Sequence, residues 1–493
     1  MASAGQLKAL ARARMADEVG PPHRLAPEPV ALVYPSPYRA AMSSLGFLQI
    51  ARLIDAQPGR SAERAFLPDD VEAHRGTPLF TYESMRPVSD FPVIAMSVAF
   101  ELELAGVIET LRLSGLAPLA RERDRRAPFV LAGGPLTFSN PLPLAPFVDA
   151  ILMGEAEETI GPALDVIFGS ASRDEAKREL AKIPSCYVPD LHGDALPEVG
   201  KATQANLPAH AAIRTPHAEL SNMFLLEAER GCHRQCEYCV MRRSTNGGMR
   251  LVPMETILGL IPDDAKRVGL VGAAVSDHPK IADIVETLAD QGREVGLSSL
   301  RPDRLNDRFV AALKRAGYRT LTTASDGASQ RLRDAMQRRA REKHIERAAE
   351  LARAHGMKRL KLYMMVGLPG ERDDDIDELV EFGTELSKIV PVSLGIAPFV
   401  AKRNTPLDGS PFAGIKTVDG RLKRLRRGLK GRVDLRATSA RWAWIEYVLA
   451  QGGAAEGEAV LSAVDGGGTF RDYERAFAEL PRERPRRALA IVS

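Results

Sequence analysis

Several features are scarce in this sequence, and each shortage excludes something. Cysteine is rare: four in 493 residues, three of them within residues 232–239 and Cys186 alone. A disulfide framework needs paired cysteines spread along a small secreted chain, so this distribution excludes one and suits a grip on a metal centre. Cys186 reads as a free thiol. Net charge is also small, +3, which gives the field of the whole molecule no reason to favour nucleic acid or membrane. No apolar run approaches the roughly 20 residues that span a bilayer. The Ala-rich opening, with Lys8, Arg12 and Arg14, lacks the apolar stretch of a secretory signal. A cytoplasmic protein without membrane insertion is the expectation.

What is present fits a folded chain. Hydrophobic residues make up 45% and charged residues 27%, enough apolar area to offset the ordering entropy of a fold. The length predicts two to three domains. Residues 1–29 read as an irregular arm or frayed helix. Over residues 30–182, short apolar strands (VALVYP, VIAMSVA, FVLAGG, DAILMG) alternate with helical stretches. That is the pattern of a doubly wound parallel sheet of the Rossmann or flavodoxin kind. Such sheets take ligands beyond the carboxyl ends of their strands, here Ser97, Gly133-Gly134 and Gly154-Glu155; the same glycines equally suit tight turns. A Pro-rich stretch, 183–216, reads as a linker.

Residues 217–406 are the most regular. Strand candidates at 224–229, 267–272, 294–299, 319–324, 360–367 and 392–400 are separated by helices, which predicts a partial (β/α)6 TIM-like barrel with its active face at the strand ends. Residues 407–493 read as a small helical region. In it Leu422, Leu425 and Leu429 recur at helical spacing within a basic segment, so the leucines dock and the Arg and Lys face water. A nucleic-acid contact is the alternative for that segment. Trp442 and Trp444 are expected to anchor this helical unit.

The first barrel strand runs directly into Glu229-Arg230-Gly231-Cys232-His233-Arg234-Gln235-Cys236-Glu237-Tyr238-Cys239. Three thiolates from one loop would hold a cubane iron-sulfur cluster and leave one iron without a protein ligand, a vacancy open to chemistry like that of a catalytic zinc site. Zinc is the rival, with His233 as a fourth ligand. Arg230, Arg234, Arg242 and Arg243 surround the loop, and cations favour thiolate and stabilise negative charge on a cluster.

Cys-x3-Cys-x2-Cys with Tyr238 before the third cysteine, opening a partial barrel, resembles the radical S-adenosylmethionine superfamily over residues 218–405. The resemblance implies a 4Fe-4S cluster on Cys232, Cys236 and Cys239. It also implies S-adenosylmethionine chelated at the open iron and cleaved to a 5′-deoxyadenosyl radical, with an electron donor such as flavodoxin or ferredoxin as partner. Further family landmarks fall after successive strands. Gly272-Ala273-Ala274 with Ser276 and Asp277 resembles the glycine-rich segment for the methionine amino group, without its usual Gly-Gly-Glu form. Ser299 and Arg301 stand where ribose and carboxylate are oriented. Asp326 stands where relatives often have Glu, and Gly367 lies in the Gly-Leu-Pro segment near adenine.

The N-terminal sheet resembles the subgroup with a cobalamin-binding domain, which implies a methyltransferase on an unknown substrate. The Asp-x-His-x-x-Gly motif is absent, however: SPYRAAMSSLG keeps only Gly46. Hydrogen abstraction without cobalamin is the alternative. A methylthiotransferase resembles this chain over Asp326 to Arg338 but needs a second three-cysteine cluster, for which only Cys186 is left. A non-catalytic metal protein binding nucleic acid is a further alternative. Tyr363, Lys402 and Arg403 lie on or after late strands and face either the cavity or structural partners.

Overall fold

The computed structural model describes residues 3–241, 248–298, 300–480 and 491–492. The chain forms two compact units, one of Met1–Met223 with Gly452–Ser493, the other of Phe224–Gln451.

In the first unit the opening residues form a helix, α1 (Ala4–Ala16), rather than an irregular arm. Ser3 and Gln6 close a capping box at its start, and Leu7 and Ala11 are buried, which supplies the anchoring that a bare Ala-rich helix lacks. A six-stranded sheet follows: β1 (Glu28–Tyr34), β2 (Arg60–Phe66), β3 (Val93–Ser97), β4 (Phe129–Gly133), β5 (Ala150–Leu152) and β6 (Cys186–Tyr187), in the order β2-β1-β3-β4-β5-β6. The first five are parallel and β6 pairs antiparallel with β5. The segment expected as a linker therefore supplies an edge strand. β2 escapes sequence reading because RSAERAF is polar. Its Arg64 is nonetheless buried, held by Glu18 at 2.7 Å and Glu83 at 2.5 Å, so the charge enters the interior already paired.

The helices Ala454–Asp465 and Phe470–Ala478 belong to this unit and not to one region with residues 407–451. Asn140 Nδ2 donates to the Gly452 carbonyl at 2.9 Å, and Arg121 pairs with Glu458 at 2.5 Å.

The second unit carries seven barrel strands: β7 (Met223–Glu227), β8 (Arg267–Val271), β9 (Glu294–Leu297), β10 (Thr320–Asp326), β11 (Arg359–Val366), β12 (Val392–Pro398) and β13 (Val433–Ala437). They form sheets of order β9-β8-β7 and β10-β11-β12-β13, the latter parallel throughout. The architecture is the expected α/β partial barrel, with β13 added. That strand reads VDLRA, alternating charge with apolar residues and exposing Asp434 and Arg436, so its apolar content alone does not announce it.

The helices that close this unit explain the basic segment. Leu422, Leu425 and Leu429 are buried in and just after α2 (Ile415–Gly428). Arg424 bonds Asp377 at 2.6 Å and Arg421 bonds Glu371 at 2.7 Å, so these guanidiniums face acids of the chain itself. Lys402 bonds Glu446 and Arg403 bonds the Gln451 carbonyl, both at 2.6 Å; both are structural. Trp442, expected as an anchor, is 41% exposed.

Candidate active site

Strand β7 ends at Glu227, and residues Glu229–Gly231 form a short antiparallel pair with Met249–Leu251. Gly231, at φ 91°, turns the chain into the cysteine loop through a conformation that side chains disfavour. Cys236 is buried, and Cys232 and Cys239 are half-buried. Inside the loop, the Arg234 amide donates to Cys232 Sγ at 3.4 Å and the Cys239 amide to the Cys236 carbonyl at 3.2 Å.

The loop is clamped against the segment after β10. The Glu237 amide donates to the Met336 carbonyl at 3.1 Å, Gln337 bonds the Glu237 carboxylate, and Cys236 Sγ lies 4.0 Å from the Gln337 carbonyl. Tyr238 donates to Asp326 Oδ2 at 2.9 Å, and Arg338 pairs with the same oxygen. Asp326, Gln337 and Arg339 all take left-handed backbone, at φ 65°, 50° and 57°. Three such non-glycine residues around one loop store strain of the kind found at functional sites. Arg338 is the residue that reading the sequence for sites overlooks, because it is hidden in the run QRRAR. Its cation opposes the burial that pushes the Cys236 thiol upward.

On the other side of the loop stands Asp277, whose side chain is fully buried and ringed by basic groups. Arg301 reaches it at 2.8 Å, Arg304 at 2.8 Å, Arg234 at 3.3 Å and His233 at 3.7 Å. Arg301 also holds Asp303 through two bonds, at 3.1 and 2.5 Å, and its amide donates to Ser276 Oγ at 3.0 Å. Asp277, Ser276 and Arg301 thus form one group with the cysteine loop, and the guanidinium of Arg301 is engaged by acids. Ser299 lies outside the described residues, as do Arg242 and Arg243.

Glu229 was not foreseen either. Its side chain is buried, and its Oε1 accepts from the Ala274 amide at 2.6 Å. A methyl group added at Gly272 would stand 2.2 Å from that oxygen. Glu229 therefore shapes the Gly272-Ala273-Ala274 segment from the neighbouring strand. Burial pushes its carboxyl up to about 7. The available signal was an acid at the end of an apolar strand, three residues before the first cysteine. Gly367, at φ 91°, donates its amide to Glu371 at 2.6 Å, and Ala413 and Val418 fill the space beside it. It forms its loop whether or not adenine lies nearby.

The donor set fits an iron-sulfur cluster. Three thiols free of disulfides share one loop, and burial pushes all three upward, Cys239 to about 11. Only metal binding would draw such thiols into thiolates at neutral pH. A single-ion zinc site fits less well. His233, its candidate fourth ligand, contacts Asp277.

Residues 227–383 match the model of the radical SAM superfamily, and residues 46–189 match that of the N-terminal region of radical SAM proteins. This chain belongs to the radical SAM superfamily. The family implies a 4Fe-4S cluster and S-adenosylmethionine. This radical SAM chain is 28% identical over 391 residues to the uncharacterized protein MJ0966 of Methanocaldococcus jannaschii, covering 78% of this chain and 80% of that one. It is 23% identical over 227 residues to the ribosomal protein uS12 methylthiotransferase RimO of Phocaeicola vulgatus, covering 42% of this chain and 51% of that protein. Its fold is similar to the radical S-adenosylmethionine methyltransferase TsrM from Kitasatospora setae, at TM-score 0.51 and 14% identity, covering 74% of this chain and 72% of that one. Among the described residues no helix is long and apolar enough to cross a membrane.

The N-terminal sheet has its switch point between β1 and β3. There Ser36 Oγ donates to Glu103 Oε1 at 2.9 Å, and the Ala99 amide donates to Glu103 Oε2 at 2.6 Å. A methyl group added at Gly134 would stand 2.6 Å from the Val98 carbonyl. The crevice in which such a sheet takes a ligand is bridged by the chain's own loops, and the loop after β1 offers no histidine. These residues do not fit a corrin held by a protein imidazole.

Proposed function

We propose that this protein reductively cleaves S-adenosylmethionine, with a 4Fe-4S cluster on Cys232, Cys236 and Cys239, to drive radical chemistry on a further substrate. The observation that carries the reading is the cysteine loop held rigidly between two charged groups, Tyr238-Asp326-Arg338 on one side and Asp277 with its arginines on the other. When bound, the cluster would supply one electron to the sulfonium and so release a 5′-deoxyadenosyl radical.

The remaining work falls to the chain. Tyr238 and Arg338 fix Asp326 at the end of β10, and Arg338 adds positive charge beside Cys236. Glu229 shapes the Gly272-Ala274 backbone that would face the methionine amino group, and Ser276 locks Arg301 to that segment. Arg301 serves as a positioning residue through Asp277. A one-electron donor such as flavodoxin or ferredoxin and a cytoplasmic setting suit a centre that must be reduced to act.

The second reading is methyl transfer, which the likeness to TsrM favours. The loop after β1 offers no histidine, so a cobalamin bound at that sheet would lack a protein imidazole on its lower face. Methylthiotransfer by a second cluster has no ligands: the remaining thiol, Cys186, is buried and pushed up to about 12.

The test is anaerobic reconstitution followed by dithionite and S-adenosylmethionine. The expected result is about one cubane per chain and formation of 5′-deoxyadenosine that is lost in Cys232→Ala, Cys236→Ala and Cys239→Ala. S-adenosylhomocysteine as the main product would favour methyl transfer. A colourless protein retaining zinc would overturn the proposal.

A further inference from the structure

The sheet β10-β11-β12-β13 of the second unit turns one face to a cavity of about 650 Å³. Alternate residues of each strand share that face, and the register stacks them in layers. The layer nearest the cysteine loop holds Met365 and Ala397, and Asp326, beside Met364 across a break in register, lines the same end. Below it lie Tyr363, Gly395 and Arg436 in one row across three strands. Lys361, paired in register with Ser393, makes the next layer, and Arg359 lies deepest. At about 3.3 Å per residue, the Tyr363 layer stands about 7 Å below the first and the Lys361 layer about 13 Å below it.

A closed barrel fills this space with branched aliphatic side chains; here it is lined by charge and an aromatic ring. Tyr363 is 48% exposed. Its ring lies over Gly395, where an added methyl group would stand 2.9 Å from a ring carbon. One edge of the ring thus packs against the sheet backbone at Gly395, and Lys361 Nζ donates to its hydroxyl at 2.7 Å. Three cations line the cavity, Arg359, Lys361 and Arg436. Arg359 and Arg436 share a single carboxylate, Asp434, at 3.1 and 3.5 Å. Asp434 stands in register with Ser393 on this face; among the described residues the other acid there, Asp326, is engaged by Arg338 and Tyr238. Positive charge is therefore in excess at the end remote from the cysteines.

We propose that this end of the cavity recognises the anionic group, a carboxylate or phosphate, of an organic substrate, with Lys361 and Arg436 as counter-charges and the Tyr363 ring beneath its carbon skeleton. The proposal takes the cysteine loop as the reaction centre, which sets the substrate's reacting carbon at the opposite end from its anion. Recognition itself requires neither cluster nor S-adenosylmethionine.

Pyridoxal 5′-phosphate, a flat aldehyde bearing a phosphate, is the probe on the full chain. Borohydride reduction and peptide mapping report each lysine it reaches. The ratio of labelling by pyridoxal 5′-phosphate to labelling by pyridoxal, which lacks the phosphate and reacts more slowly with any amine because it closes to a hemiacetal, is expected to be about tenfold higher at Lys361 than at exposed Lys182 and Lys388; tenfold corresponds to one charge-assisted contact. Phenyl phosphate and benzoate should protect Lys361 and phenol should not. Arg436→Gln should abolish the preference for the phosphate and Arg436→Lys should restore it. A probe ratio at Lys361 equal to that at Lys182 and Lys388, or protection by phenol equal to that by phenyl phosphate, would overturn the proposal. Loss of S-adenosylmethionine cleavage with labelling intact would sink the reaction proposed above and leave this site standing.

Discussion

The buried carboxyl of Glu229 gives the sharpest test of how this site is built. Burial raises it from the ordinary 4.5 to about 7, so the folded unit binds that proton more tightly than the unfolded chain does. Stability from this group is then fully present below about 4.5 and is lost as pH rises through about 7. At about 1.4 kcal/mol per pH unit, the loss reaches about 3 kcal/mol. Glu371, also buried and raised to about 7 despite Arg421 beside it, loses stability over the same window with the same sign. Glu229→Gln keeps the acceptor for the Ala274 amide and removes the ionisation. The variant should therefore be more stable than the parent at pH 8, by up to about 3 kcal/mol, and should match it near pH 4. Its stability should retain only the decline that Glu371 contributes. Trp442 and Trp444, the chain's two tryptophans, both lie in the helix Ala440–Gln451 of the second unit. Urea unfolding of the apo protein followed by tryptophan fluorescence at several pH values thus reads that unit selectively. A pH dependence unchanged by Glu229→Gln would refute the reasoning.

Three other outcomes follow from the same contacts. Gly272→Ala should destabilise the second unit by about 2–4 kcal/mol, since the new methyl meets both the carboxylate and the carbonyl of Glu229. Combining it with Glu229→Ala should cost less than the sum of the two, and a strictly additive double-mutant cycle in urea would contradict this. Arg338→Met should leave Asp326, 18% exposed, without its cation and cost about 2 kcal/mol; iron retained per chain after reconstitution should fall as well, and wild-type values for both would refute the clamp. Cys186→Ala should leave the iron content unchanged, because that thiol is buried in the first unit and pushed up to about 12; iron quantification checks it.

Local signals in the sequence carried the proposed reaction centre. Cysteine spacing needs only a loop to become a ligand set, and alternating apolar strands with helices need only hydrophobic burial to become a parallel sheet, so both were legible without coordinates. The same holds for Asp277, Arg301 and Asp326, whose places after successive strands are a matter of period. Partnership across the chain was another matter. Arg64 is buried because Glu18 and Glu83 meet it there, and β13 exists because β12 offers it an edge. Arg421 and Arg424 face Glu371 and Asp377 of the chain itself. Glu229 shapes Gly272 across 43 residues of sequence, and the Tyr363 ring has room for its edge because a glycine stands beside it on the next strand. Periodicity shows which face a residue occupies; only the folded chain decides what that face meets, because charge and shape are satisfied by neighbours distant in sequence.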